Sequence, residues 1–175
     1  MDIYLKILEV INMRSFSNLW YWIALAVLWS TASHYVLGVP FDLMTRARKQ
    51  GGETMVDLED LVRINVNRLL TISEVSGLMI TAGTAAALTA LFITGFFYNF
   101  EFGQALFLMA FPMTLVFWMS VGTAQRIKRV DQGGDVLLKQ LTRHRFRTQL
   151  IGMASIFVTG MWGMYQNLFV GPWGH

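Results

Sequence analysis

Glu74 is the best candidate for an ionisable side chain with a role in a membrane, and it immediately precedes a long apolar segment of this chain. It ends a polar helical stripe that begins at Asp60 and leads into that segment. A carboxylate inside a membrane is costly and typically marks a proton or cation path. A membrane core of roughly 20 residues that ends near Phe97 would instead begin near Leu78 and leave Glu74 at the headgroup level. The sequence therefore leaves two roles open for Glu74, an ion path and an ordinary interfacial carboxylate.

His34 is the only histidine inside an apolar run, and histidine is a common axial ligand of haem. One imidazole cannot supply the paired axial ligands of a membrane b-type haem, so His34 could bind haem or a pigment only as a single ligand. The alternative is a hydrogen bond near the membrane interface. We expect no resident cofactor and no metal site, and His34 is the one candidate cofactor ligand.

Catalytic motifs are missing from the sequence. It has no P-loop, no dinucleotide-binding fingerprint, no His-Glu-x-x-His and no glycine-flanked nucleophilic serine. It also has no cysteine, which excludes disulfides, thiolate metal sites and thiol nucleophiles. The long apolar segments contain no acid, base and nucleophile that would lie together at one depth of a membrane. We therefore predict that the protein is not an enzyme.

The composition indicates that membrane helices position these side chains. Of the 175 residues, 54% are apolar and only 14% are charged, whereas about a quarter of the residues in an ordinary soluble domain are charged. Four stretches without Asp, Glu, Lys or Arg are long enough to cross a bilayer as helices. We predict one all-α membrane domain, with spans at about 19–39, 75–98, 104–125 and 149–170 and cytoplasmic loops at 40–74 and 126–148.

The basic residues indicate the orientation of these spans. Twelve of the 14 lysines and arginines lie in the two predicted loops, and cytoplasmic loops of membrane proteins are enriched in such residues. This places both termini on the side of the membrane that faces away from the cytoplasm. The excess positive charge therefore reports topology and not a nucleic-acid partner. The predicted partners include membrane lipids, with anionic headgroups contacted by Arg143, Arg145 and Arg147.

The N-terminal segment 1–17 is predicted to form an amphipathic helix. Its polar residues fall on one helical stripe, and apolar residues cover the remaining surface. Such a helix lies in the membrane interface or packs against a partner.

Both predicted loops contain a basic cluster followed by Gln-Gly-Gly and an acidic residue. The glycines should end one helix, and the acidic residue, Glu53 or Asp135, can cap the next. Glu59 and Arg63 then have the spacing of an ion pair on one helix face. The shared pattern predicts either a parallel repeat of two helical hairpins or two independent loops of a common kind.

Small residues recur at every fourth position in two of the predicted spans. Such ridges let neighbouring helix backbones approach closely in a membrane. We predict that both ridges pack against other helices of this chain or against another protein. The ridge residues are Ser73, Gly77, Thr81, Ala85 and Thr89 in the second span, and Ser155, Thr159 and Gly163 in the fourth.

Three segments of the chain resemble one family of small bacterial membrane proteins. The segments are 13–20 (Met-Arg-Ser-Phe-Ser-Asn-Leu-Trp), 32–40 (Ala-Ser-His-Tyr-Val-Leu-Gly-Val-Pro) and 57–68 (Asp-Leu-Glu-Asp-Leu-Val-Arg-Ile-Asn-Val-Asn-Arg). The family is found in alphaproteobacteria of the Rhodobacter group, and its members are often named as a component of the Suf iron–sulfur assembly complex. The resemblance implies a bacterial inner-membrane protein. The absence of cysteine excludes binding of an iron–sulfur cluster through thiolates.

The sequence leads to one main functional hypothesis and two alternatives. The main hypothesis is a non-catalytic accessory, structural or assembly subunit of a larger respiratory or photosynthetic membrane complex. The first alternative is a small oligomeric transporter or channel that uses Glu74 and the polar face of the second span. The second is a haem- or pigment-binding membrane protein that uses His34.

Overall fold

The computed structural model describes residues 15–130 and 133–169, and within these ranges the chain is helical except for one very short hairpin. A 3-10 turn, Ser15–Ser17, comes first. The elements that follow are α1 (Leu19–His34), β1 (Tyr35–Val36), β2 (Val39–Pro40), α2 (Phe41–Gln50), α3 (Gly52–Phe92), a π-helical turn (Ile93–Phe97), α4 (Glu101–Val130) and α5 (Gly134–Phe169). The all-α prediction is confirmed. Of the predicted interfacial helix 1–17, residues 1–14 lie outside the described ranges.

Two of the described helices are long and apolar enough to cross a membrane, Gly52–Phe97 and Glu101–Val130. They contain the second and third predicted spans. The helix of the first predicted span has only 16 residues, whereas a perpendicular crossing needs about 20. The fourth predicted span lies within the 36-residue helix α5, which is not among the helices apolar enough to cross a membrane.

Three of the helix breaks occur where the sequence predicts them. Gly51 and Gly134 adopt positive φ values of 60° and 57° at the two Gln-Gly-Gly segments, a conformation that glycine reaches without a Cβ penalty. Asn99, with φ of 53°, separates the second and third predicted spans. The two halves of the chain differ in the segments that precede their Gln-Gly-Gly sequences. In the first half this segment consists of the hairpin and the short helix α2, whereas in the second half it is the continuous helix α4.

The first predicted span ends earlier than expected because the chain turns back on itself after His34. Tyr35 pairs with Pro40 and Val36 with Val39 in an antiparallel hairpin. Leu37 and Gly38 form its two-residue turn, both with positive φ, as the right-handed twist of such hairpins favours.

The largest apolar core lies mainly in the segments that were predicted to be cytoplasmic loops. There α2, the first half of α3, the end of α4 and the start of α5 pack together with the hairpin. The buried residues of this cluster are Val36, Val39, Met44, Ala47, Leu58, Val62, Val66, Leu70, Val121, Ala124, Ile127, Leu137, Leu138 and Leu141. Segments 40–74 and 126–148 are therefore a helical layer at one end of the bundle. We name this layer the basic end.

Glu59 connects the two halves of the chain within the basic end. Its carboxylate accepts a 2.6 Å hydrogen bond from the backbone N–H of Gly134, the first residue of α5. Carboxylates are stabilising at helix N-termini, where backbone N–H groups lack partners. The predicted Glu59–Arg63 ion pair is wrong, because Arg63 pairs instead with Asp60 at 2.8 Å.

A close backbone contact joins α3 and α4 at the opposite end of the bundle. A Cβ added to Gly95 would lie 2.7 Å from the backbone nitrogen of Gln104. The buried Gln104 amide donates to the Gly95 carbonyl at 2.8 Å, and its oxygen accepts hydrogen bonds from Trp162 and Gln166 of α5. We name these contacts the Gln104 clasp. It holds α3 and α4 in an antiparallel hairpin against α5.

Candidate functional site

The second half of α3 presents its small residues away from the other helices. Ser73 and Gly77 are half-buried, whereas Thr81, Ala85 and Thr89 are exposed. A spacing of four residues advances about 40° around an α-helix beyond one full turn. The ridge predicted from Ser73 to Thr89 therefore winds away from the contact side of α3.

The α3 residues that contact the bundle follow a mixed spacing of three and four. Ile80, Thr84, Leu88 and Leu91 are half-buried along this side, which keeps the narrow angular range of a packed helix stripe. None of the residues in the most apolar 18-residue window of Gly52–Phe97 is buried. This half of α3 therefore contributes little to the interior of the chain.

The exposed side of this half of α3 is rich in alanine and threonine. We name it the α3 small-residue face and define it by Thr81, Ala82, Ala85, Ala86, Thr89 and Ala90, all of which are exposed. The Thr81 hydroxyl donates to the Gly77 carbonyl of its own helix at 2.7 Å. That bond leaves the threonine methyl group to the surface, so the face is both small and largely apolar.

The second predicted ridge lies in α5 and is packed within the chain. Ser155 is buried, the exposed fraction of Thr159 is 0%, and Gly163 is also buried. A Cβ added to Gly163 would lie 3.3 Å from Phe16, and one added to Gly152 would lie 2.8 Å from the ring of Trp29. The small residues of α5 therefore leave room for two aromatic side chains, Phe16 before α1 and Trp29 within it.

Glu74 is exposed and stands where α3 leaves the core of the basic end. By helical position it lies on the same side of α3 as Thr81 and Ala85. This carboxylate therefore borders the α3 small-residue face. No other described residue forms an ion pair with it.

His34 occupies the last turn of α1 and is half-buried. Its ring makes an edge contact with Tyr35, with 5.0 Å between ring centroids. Among the described residues, no group of three or more His, Cys, Asp or Glu side chains is placed to hold a metal ion. His34 therefore belongs to no such group within the described ranges.

Only two of the three arginines of the predicted lipid-contacting cluster point to the surface together. Arg143 and Arg147 are exposed and share one face of α5. Arg145 turns inward, where its Nε donates to the Ser33 carbonyl at 3.0 Å and its guanidinium stacks 3.7 Å from the centre of the Phe41 ring. Arg145 thus ties α5 to the end of α1 and the start of α2.

His144 is a buried polar residue that the sequence did not single out. Its exposed fraction is 4%, its Nδ1 lies 3.0 Å from the Thr123 hydroxyl and its Nε2 lies 3.2 Å from the Ser120 hydroxyl. Burial, and after it the positive charge of Arg147, lowers the pKa of His144 to about 4. A neutral imidazole can donate to one hydroxyl and accept from the other. The sequence feature that could have indicated this site is the spacing of Ser120 and Thr123, which lie three residues apart in α4.

The chain matches no protein-family model, and no curated protein and no solved structure is significantly similar to it.

Proposed function

We propose that this chain is a non-catalytic integral inner-membrane protein that serves as an accessory, structural or assembly subunit of a larger membrane complex. The observation that carries the proposal is the α3 small-residue face, which belongs to a long apolar helix and is exposed along its length. The hydrophobic effect supplies little association energy between helices in lipid, so helices associate where small residues allow close packing. A transmembrane helix of a partner subunit is the occupant that such a face fits.

The proposed topology has four spans, with both termini in the periplasm and the basic end in the cytoplasm. Two contacts support the placement of both basic segments on the same side of the membrane. Arg48 of α2 donates to the Thr142 hydroxyl of α5 at 3.0 Å, and Glu59 caps α5. The positive-inside rule then favours the cytoplasm for that side. The resemblance to Rhodobacter-group membrane proteins favours a respiratory or photosynthetic complex as the host.

The test compares a bulky substitution on the α3 small-residue face with the same substitution elsewhere. Ala86→Leu adds bulk at an exposed position of the face, and Ala26→Leu does so at an exposed position of α1. Both replace one good helix former with another. Native membranes are extracted in a mild detergent, and the mass of the assembly that contains the chain is measured on native gels.

We expect the wild type and Ala26→Leu to migrate in one large assembly, and Ala86→Leu to migrate as the free chain. Equal assembly of all three chains would contradict a docking role for this face. A large assembly that contains only copies of this chain would favour the oligomeric transporter instead, with Glu74 beside the shared face.

A further inference from the structure

A cavity of about 360 Å³ lies between α1, the β1–β2 hairpin and helices α3, α4 and α5. This volume falls at the lower end of the range of small-molecule sites. Its polar lining consists of Asn65, Arg68, Ser120 and His144 together with Thr148 and Tyr35. Most of the remaining lining is apolar and includes Ile72, Met113 and Val116.

Asn65 and Arg68 lie toward one end of the cavity, and Ile72, Met113 and Val116 lie toward the other. Leu37 and Leu69 also line the first of these ends. Along α3, Asn65 and Arg68 come before Ile72 and therefore lie deeper within the basic end. Along α4, which runs antiparallel to α3, Met113 comes before Ser120. The end of the cavity that lies deeper in the basic end therefore carries the positive charge and the amide, and the end toward the middle of the helices is mainly apolar.

The polar end carries hydrogen-bond donors that the described residues leave without partners. Arg68 is exposed, no described carboxylate lies within 4.0 Å of its guanidinium, and no described acceptor bonds to it. Asn65 is half-buried against Gly38 of the hairpin and makes no side-chain hydrogen bond to another described residue. Together they offer a positive charge and an amide to the oxygen atoms of an anion.

His144 completes the wall of this end without adding charge. Both of its ring nitrogens are within hydrogen-bond distance of hydroxyls of α4, and its lowered pKa keeps the imidazole neutral at pH 7. The positive charge at the cavity is therefore concentrated on Arg68, at the mouth.

We propose that this cavity binds an anionic amphiphile with a single chain, whose head lies at Arg68 and Asn65 and whose chain lies along Ile72, Met113 and Val116. A carboxylate head, as in a fatty acid, and a phosphate head, as in a lysophospholipid, share this chemistry. The inference rests on the proposed membrane setting, because the apolar end faces the middle of the bundle. It does not depend on a partner subunit.

The test is equilibrium binding of radiolabelled palmitate to the full-length chain purified in dodecyl maltoside. We expect saturable binding of one palmitate per chain. Hexadecanol has the same chain length and no charge, so it should compete poorly. Competition by 1-palmitoyl-lysophosphatidate that is stronger than that by unlabelled palmitate identifies a phosphate head, and the reverse identifies a carboxylate.

Arg68→Gln removes the charge at the mouth and should weaken palmitate binding by about tenfold, as expected for the loss of one charge-assisted hydrogen bond. Arg63→Gln is the matched control, because Arg63 lies on the same helix, is exposed and pairs with Asp60 away from the cavity. Circular dichroism checks that both variants are folded.

A second variant tests the apolar end. Ile72→Trp shortens the cavity and should shift the preference from palmitate toward decanoate. Unsaturable uptake, equal binding by Arg68→Gln and Arg63→Gln, or equal competition by hexadecanol would overturn the proposal. The Ala86→Leu chain should bind palmitate as the wild type does, so failure of this site and failure of the proposed subunit role are separate results.

Discussion

The two halves of α3 use the same residue spacing with opposite results. In the first half, Leu58, Val62, Val66 and Leu70 recur at every fourth position and are buried. In the second half, the small residues from Ser73 to Thr89 recur at the same spacing, and the last three of them are exposed. Spacing alone therefore does not determine which side of a helix is packed.

The difference between the halves lies in the helices around them. The first half is surrounded by α2, α4, α5 and the hairpin, so a side chain remains covered as the ridge winds around the helix. The second half has α4 on one side and no comparable cover on the other. Large apolar side chains fill the first half, as burial from water favours, whereas the second half has small residues suited to close helix contact in lipid.

The largest expected effect is a loss of packing in the first half of α3. Leu58 has an exposed fraction of 0%, and truncation of such a leucine to alanine typically costs about 2–5 kcal/mol of the free energy of unfolding. The matched change in the second half is Leu78→Ala, where the leucine is 85% exposed, and we expect an effect within about 0.5 kcal/mol. Thermal unfolding of both variants in detergent measures the difference. Equal losses would contradict the contrast between the halves.

The next largest effect concerns pH at the basic end, where His144 is buried. Its pKa is lowered from 6.5 to about 4, so folding favours the neutral imidazole. The resulting stability is fully present above pH 6.5 and is lost as the pH falls from 6.5 to 4. The linkage is worth about 3 kcal/mol at most.

His144→Gln removes this titration, and chemical denaturation at several pH values measures it. We expect the stability difference between wild type and variant to shrink as the pH falls from 6.5 to 4. A constant difference over that range would show that His144 titrates alike in the folded and unfolded chain.

Local chemistry explains which parts of the fold were predictable. Glycine at positive φ often separates two helices, and Gly51 and Gly134 were recognisable from their Gln-Gly-Gly segments alone. The all-α class likewise follows from the apolar runs. The hairpin after His34 was missed because the run that contains it is uncharged as far as Val39. Lack of charge predicts an apolar environment and does not distinguish a helix from a strand.

The contacts that the sequence did not predict join residues that are distant along the chain. Glu59 contacts Gly134, and Arg145 contacts Ser33. Spacing along one helix suggested a local partner for Glu59 and a lipid-facing role for Arg145. Only the tertiary arrangement brings helix ends with free backbone groups close to these side chains. His144 was missed for a similar reason, because its flanking arginines made the segment look exposed throughout.

The smallest predicted effect compares two glycines of the second predicted span. Gly95→Ala places a Cβ 2.7 Å from the backbone of Gln104. Because that neighbour is backbone and not a flexible side chain, the Gln104 clasp must open, at a cost of about 1–3 kcal/mol. Gly83 has no atom within 4 Å of its Cβ position, so Gly83→Ala should stabilise the exposed helix by about 0.5–1 kcal/mol.

Thermal unfolding in detergent measures both glycine variants. The part of the tryptophan emission that is lost in a Trp162→Phe background reports on the clasp, because the Trp162 indole N–H donates to Gln104 at 2.9 Å. We expect the emission to change in Gly95→Ala and to stay constant in Gly83→Ala. Opposite signs of the two stability changes would show that α3 is fixed at its end by the clasp and is free around Gly83. A loss of stability in Gly83→Ala would instead mean that α3 already packs against another helix around Gly83 in detergent.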